Sequence, residues 1–345
     1  DLRSSEAELR QGTPDLHPVL GVPLLWSGNF ASVYRLPCPH TGNTWAVKCF
    51  AREIPNLADR YRKISTHLQQ AHLPFTADFA YLEQGIRVCR KWYPILKMRW
   101  VDGCRLNEFV EQHLDKPQVL GALLRIWIRV AQCLREKHVV HGDLQHGNVL
   151  MVPVPHSDRL GLTLVDYDGM FVPALHGQES GEVGHPNYQH PERSRHGGHN
   201  LAADQFSHLV ICCAIQCLVA GGRTLWERYD NSDNLLFREA DFQDPCTSPL
   251  FQELWARSRL ATRALIGHLI LASQTPLDQA PPLDEVMVDD QVRVLTSAQE
   301  GRVDSLLARA GCQLRALPRA LAAAAGPGAV QGVQHPWWQS GAVVS

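Results

Sequence analysis

The sequence predicts an α+β fold in two parts: a small antiparallel β region carrying one helix, then a larger and mostly helical region. Three observations carry that expectation. Between residues 20 and 101, short β-like runs alternate with turn residues and are interrupted by one helical stripe. From residue 115 onward, apolar residues recur at helical spacing in several long segments. After the first of those helices comes a stretch, residues 139–170, in which an Asp, an Asn and a second Asp stand between short apolar runs.

The 345 residues suffice for two modest domains or one molecule of two lobes. An apolar fraction of 45% and a charged fraction of 20% are those of an ordinary soluble globular protein. The net charge of −2 gives no general field for nucleic acid or anionic lipid, so neither is expected as a partner. Ten cysteines, at 38, 49, 89, 104, 133, 212, 213, 217, 246 and 312, are scattered without a C-x-x-C pair, and most sit in apolar runs. That is cysteine used as a small buried hydrophobe, which points to a reducing cytoplasm. The chain opens at Asp1 without a Met, as a processed or excised segment would, and shows no signal peptide. The longest apolar run, residues 206–220, reads as too short and too interrupted by His208 and Gln216 to span a bilayer.

In chain order, residues 1–18 are polar with early Gly and Pro, a flexible lead-in. The runs around Leu24 to Tyr34 and Thr44 to Phe50 flank Pro37, Gly42 and Asn43, which makes a hairpin. Leu57, Tyr61, Ile64 and Leu68 form one helical stripe. Further strands are expected at residues 79–82, 86–90 and 93–100. A helix at 115–137 has apolar residues at 120, 123, 124, 127, 130, 131 and 134. Residues 205–220 are apolar on nearly all sides, as a helix buried through a domain centre is. Helices follow at 250–255 and 261–273, and Ser297 with Glu300 reads as a capping box for a helix running to about residue 325. The tail beyond, with Trp337 and Trp338, looks unstructured. The histidines at 185, 190, 196 and 199 crowd one loop but lack cysteine partners and the i, i+4 spacing of a zinc site.

The chemistry is concentrated in residues 141–170. His141, Asp143, Leu144 and Asn148 fit H-x-D-L-x-x-x-N, and Asp166 ends an apolar run eighteen residues beyond Asn148. Upstream, Trp45-Ala46-Val47-Lys48 fits V-A-I-K, preceded by Gly28 and Val33 from a G-x-G-x-x-G-x-V pattern. Downstream, Gly184 to Glu192 is similar to G-T-x-x-Y-x-A-P-E, with His190 in place of the Ala, and Asp204 opens a D-x-W-S-x-G-x-x-like helix.

Together these motifs resemble the protein kinases, in the eukaryotic-like (Hanks-type) serine/threonine form found in bacteria, over roughly residues 20–290. The resemblance implies a bilobal protein-kinase-like fold with an N-lobe at 19–101 and a C-lobe at 102–290, followed by a C-terminal helix and flexible tail at 291–345. It implies ATP and Mg²⁺ as cofactors. Asp143 would be the base or hydroxyl-orienting group and Lys48 the phosphate-binding cation. Asn148 and Asp166 would hold the metal. Gly28, Val33, Ala46, Met98 and the backbone of Arg99 and Val101 would enclose the nucleotide. His141, Glu192 and Asp204 would be structural, Asp204 holding the catalytic-loop backbone from below. The substrate would be a protein Ser or Thr hydroxyl on an unnamed partner, with a cognate phosphatase as a further partner.

Several positions depart from the pattern. Trp26 and Ala31 stand where the first and third glycines would be. The C-helix position offers no Glu between Glu53 and Glu83, Asp59 being the nearest acid inside it. Gln145 replaces the common Lys, and Asp166-Tyr167-Asp168 replaces Asp-Phe-Gly. The Arg that usually pairs with the P-E glutamate is absent, with Gln279 and Ala280 standing there. Gly142 stands where many protein kinases carry an Arg that clamps an activation-segment phosphate, which implies activity not gated by that phosphorylation. The alternatives are a weak or inactive pseudokinase serving as a nucleotide-binding scaffold and, second, a small-molecule phosphotransferase.

Overall fold

The computed structural model describes residues 3–27, 31–52, 54–154, 160–178, 182–196, 199–229, 232–313 and 341–343. The chain divides into two compact units, Asp1–Gly103 with Val152–Val165 and Gly332–Ser345, and Cys104–Met151 with Asp166–Gln331. The first is built on antiparallel strands and the second on helices, so the α+β class read from the sequence is the one observed.

In the first unit, β1 (Arg3–Ser4), β2 (Leu24–Ser27), β3 (Ala31–Cys38), β4 (Asn43–Phe50), β5 (Phe79–Val88) and β6 (Lys91–Arg99) pair in the order β1-β5-β6-β4-β3-β2, and Gly341–Val343 adds to the β2 edge. The expected hairpin is β3–β4, closed where Cys38 faces Asn43. The two strands expected at 79–82 and 86–90 are one strand, because a register shift between Leu82 and Ile86 absorbs the interruption without ending the pairing. Register puts Val33, Lys48 and Leu96 opposite one another, and Ala46 opposite Met98. With side chains alternating along each strand, these five share one face. The helix α2 (Leu57–Ala71) buries Leu57, Tyr61, Ile64 and Leu68, and the first two pack with Leu96, Phe50, Phe79 and Tyr81 of that same face.

The opposite face corrects the expected flexible lead-in over residues 1–18. There α1 (Ala7–Gln11) lays Leu9 among Val47, Ile95, Leu36, Trp45 and Ile86. Apolar burial alone would fix one residue; ion pairs fix the rest. Lys97 Nζ lies 2.5 Å from Glu6 and 3.1 Å from Glu8, with the ammonium 4.0 Å from the centre of the Trp45 ring. Glu8 also accepts from Asn43 (2.8 Å) and Thr41 (2.7 Å), and these bonds, Asn43 first, hold its carboxyl down at about 2. A depressed carboxyl contributes stability above its unfolded value of 4.5 and loses it as pH falls toward 2. Over that window thermal melting is therefore expected to become less acid-sensitive in Glu8→Gln than in wild type.

The second unit holds α3 (Leu106–Gln112), α4 (Pro117–Glu136), α5 (Pro191–His196), α6 (Gln205–Tyr229), α7 (Glu239–Gln243), α8 (Pro249–Arg257), α9 (Leu260–Ser273), α10 (Leu283–Val286) and α11 (Ser297–Gln313). All seven apolar positions read for α4 are buried, joined by Ile128. The helix expected at 205–220 runs on to Tyr229, across a break at Gly222, whose φ of 55° and ψ of −149° suit only glycine. By length and composition α6 is therefore long and apolar enough to cross a membrane, contrary to the reading from sequence. Of its most apolar window, 61% is buried by protein, which is the setting of a core helix. The capping box of α11 lies one residue earlier than expected: Thr296 Oγ1 accepts from the Gln299 N–H at 3.3 Å, and Gln299 Oε1 from the Thr296 N–H at 2.9 Å. Ser297 and Glu300 have the same three-residue spacing, but the reciprocal bonds are made by Thr296 and Gln299. The remainder of that expected helix and the Trp337–Trp338 tail lie outside the described residues.

Candidate active site

Within the second unit two backbone segments are clipped together. Val140 and Phe171 exchange both backbone bonds (2.9 and 2.8 Å), which brings the loop beginning at His141 alongside the turn that follows Asp166. At the crossing, Gly142 has a φ of +82°, and a Cβ there would lie 2.0 Å from the Gly169 carbonyl oxygen. Glycine is thus required twice over, for its backbone angle and for the approach. The Met170 N–H bonds the Tyr167 carbonyl at 3.1 Å, so Asp168 and Gly169 are the central residues of a turn. Asp166 itself has a φ of 66°. Tyr167 is buried edge-on against His141, their ring centres 6.0 Å apart.

Asp143 sits where this loop turns. Its Oδ2 accepts from Gln145 Nε2 at 2.9 Å and Asn148 Nδ2 at 2.8 Å, and its Oδ1 from the His185 N–H at 2.7 Å. The Asn148 amide also donates to the Asp143 carbonyl. Turning both amide nitrogens toward one carboxylate leaves Asn148 Oδ1 and Gln145 Oε1 buried with no hydrogen-bond partner.

The loop is held from α6 and α5. Asp204 takes the His141 N–H at 2.5 Å and the Gly142 N–H at 3.0 Å, one on each oxygen. Arg193, completely buried, holds the next peptide, donating to the Gly142 carbonyl at 2.8 Å; its second branch bonds Gln189 Oε1 at 2.6 Å and the Ala203 carbonyl at 3.4 Å. Burial lowers the Arg193 value, and Asp204 and Asp143 nearby oppose that. Sequence reasoning missed Arg193: a single cation after Pro191-Glu192 has no periodicity and no motif position. Glu192 accepts from the Leu277 N–H at 2.7 Å, so a backbone donor serves where a partner Arg is missing.

Behind Asp143 lies a polar cluster that the sequence did not assemble. His185 Nδ1 accepts the Asn187 N–H at 3.2 Å and its Nε2 meets Asp233 at 3.0 Å, while His146 Nδ1 meets the Tyr188 hydroxyl at 2.7 Å. Burial, with a smaller push from His185, drives His146 down to about 3, so it is neutral at physiological pH. The crowded histidines go to separate partners: His185 to Asp233, His190 to the Ala272 carbonyl and His199 to the Gln178 carbonyl. The side chain of His196 lies outside the described residues.

The other expected residues belong to the first unit. Lys48 is buried on the α2 face of the sheet, in register with Val33 and Leu96, and Ala46 stands opposite Met98. Arg99 ends β6 with its N–H on the Asp78 carbonyl, and Val101 lies in the irregular stretch that follows. Asp59, the acid suggested for Lys48, is not on the buried stripe of α2. It bonds Lys63 at 2.8 Å and Arg62 on its own helix, because one turn of helix brings those cations to it first. Gly28 lies outside the described residues.

No family model matches the chain. Among curated proteins it is similar to the serine/threonine-protein kinase PLK4 of Drosophila grimshawi, 24% identical over 207 residues, which is 57% of this chain and 25% of that protein. It is also similar to the PLK4 of Nematostella vectensis, 23% identical over 57% of the chain and 20% of that protein. With the PLK4 of Aedes aegypti it shares 25% identity over 52% of the chain and 23% of that protein. The chain therefore spans about a quarter of the length of the curated relatives it matches. These relatives are animal proteins, and they do not show the bacterial form expected from the sequence. At 23–26% identity over 57% of the chain, the similarity supports a protein-kinase-like family for it.

Proposed function

We propose that this chain is an ATP-dependent protein kinase that transfers the γ-phosphoryl group to a Ser or Thr hydroxyl and is not gated by phosphorylation of its activation segment. The observation that carries the proposal is the Asp143 carboxylate, fixed by three donors on two oxygens. A carboxylate held in one orientation, with lone pairs to spare, can orient a substrate hydroxyl and take its proton. Asn148 presents a buried oxygen without a partner, and with the Asp166 carboxylate it supplies the hard oxygen donors that Mg²⁺ takes; these two residues would hold the ion. Bound there, Mg²⁺ neutralises charge on the phosphate oxygens. Lys48 would do the same for the α- and β-phosphates. Val33, Ala46 and Met98, on its face of the sheet, would line the base, with the backbone of Arg99 and Val101 beside them.

Absence of gating is supported by Gly142, where no side chain, and so no phosphate-clamping Arg, fits against Gly169. A reducing, cytoplasmic setting belongs to the same proposal, supported by nine described cysteines that are all free thiols. One observation favours the second reading, a weakly active nucleotide-binding scaffold: the buried stripe of α2 facing the Lys48 side of the sheet is Leu57, Tyr61, Ile64 and Leu68, without an acid.

Purified chain with radiolabelled ATP, Mg²⁺ and a generic protein substrate tests the choice. Kinase activity predicts label transfer that falls at least about 100-fold in both Asp143→Ala and Asp166→Ala. Nucleotide-dependent thermal stabilisation with no transfer in wild type would instead establish the scaffold.

A further inference from the structure

Two amides share one carboxylate oxygen. Gln145 Nε2 and Asn148 Nδ2 both donate to Asp143 Oδ2, at 2.9 and 2.8 Å. An amide has two chemically distinct ends, so committing both nitrogens to an acceptor fixes where both oxygens are. Each oxygen then lies on the far side of its amide carbon from a nitrogen that is bonded to the same carboxylate oxygen. Asn148 is fully buried and Gln145 is 3% exposed, and Oδ1 of one and Oε1 of the other have no donor. A buried acceptor without a partner is destabilising, and here there are two beside a carboxylate. Two buried oxygens without donors, set beside a carboxylate, favour a cation or a strong donor.

We propose that Gln145 is a metal-binding residue in its own right, and that its Oε1 joins Asn148 Oδ1 in holding a divalent cation. This rests on the kinase reading of the site and deepens it. An ammonium at position 145 would repel a cation next to Asp143; a neutral amide with its oxygen unpaired attracts one. Replacing a cation by Gln thus exchanges a fixed positive charge for a recruited one, and the chain's affinity for divalent metal depends on residue 145.

Mn²⁺ serves as the probe, its free concentration read by electron paramagnetic resonance with the full chain, alone and with ADP. Gln145→Met, close in volume but without polar atoms, is expected to weaken Mn²⁺ binding about tenfold. Gln145→Lys, which keeps a donor to Asp143 and loses the oxygen, is expected to weaken it further. Gln145→Glu, which keeps an oxygen and adds charge, is expected to tighten it, and this keeps the proposal testable if Gln145→Met does not fold. Wild-type affinity in Gln145→Met, or none of the expected tightening in Gln145→Glu, overturns the proposal. If Asn148→Leu and Asp166→Asn lose Mn²⁺ while Gln145→Met does not, the inference fails and the kinase reading stands. If none of the three variants differs from wild type, both fail.

Discussion

Arg193→Met is expected to destabilise the second unit by about 3–5 kcal/mol, the cost of removing one partner from a buried charged network. The reason is what the guanidinium joins. One branch holds the Gly142 carbonyl, the other holds Gln189 and the Ala203 carbonyl, and the carboxylates of Asp204 and Asp143 lie close enough to act on it. Methionine fills the volume but takes a donor away from three acceptors and removes a positive charge beside buried Asp204. Against a typical total of about 5–15 kcal/mol, such a loss removes much of the margin. Arg193→Lys keeps the charge but not the planar fork, so it should recover only part of the stability. Urea unfolding of the three proteins checks the order; equal midpoints for Arg193→Met and wild type would show that the buried cation is dispensable.

Gly142→Ala comes second in expected effect. A left-handed backbone angle costs a non-glycine residue about 1–2 kcal/mol, and a Cβ placed 2.0 Å from the Gly169 oxygen must push backbone, not a flexible side chain. Gly177→Ala is the control, since Gly177 has a similar φ of +79° but open space around it. The control should lose about 1–2 kcal/mol and keep phosphotransfer. Gly142→Ala should lose more, by about 1–3 kcal/mol for the overpacking, and should drop kcat with little change in KM for ATP, because the residue that moves is the one before Asp143. Matching losses in the two variants would mean that the two backbones separate easily.

How much of this was legible beforehand follows from the range of each interaction. The stripe of α2 and the buried face of α4 were read residue by residue, because helical periodicity is a local signal that burial then satisfies. The proximity of Asn148 to Asp143 was also legible, five residues apart in a tight loop. What stayed hidden depends on partners distant in sequence or on backbone atoms. Lys97 is 89 residues from Glu8, and nothing in a polar lead-in announces that Leu9 alone will be buried. Arg193 acts on a carbonyl 51 residues away. The sequence of Gly142 suggested a missing arginine; its geometry shows a place from which every side chain is excluded.

The bond between Glu192 and the Leu277 N–H has a consequence for how this protein can change. Where two side chains pair, a substitution at one must be matched at the other, and the match leaves a trace in related sequences. Here residue 277 meets Glu192 through its peptide group alone, so the bond itself asks only that residue 277 not be proline, while burial of the Leu277 side chain sets a separate demand for an apolar residue. The joint is silent to coevolution: position 277 can exchange one apolar residue for another while the link to Glu192 persists, and the link resists salt better than an exposed ion pair would, having only one charge to screen.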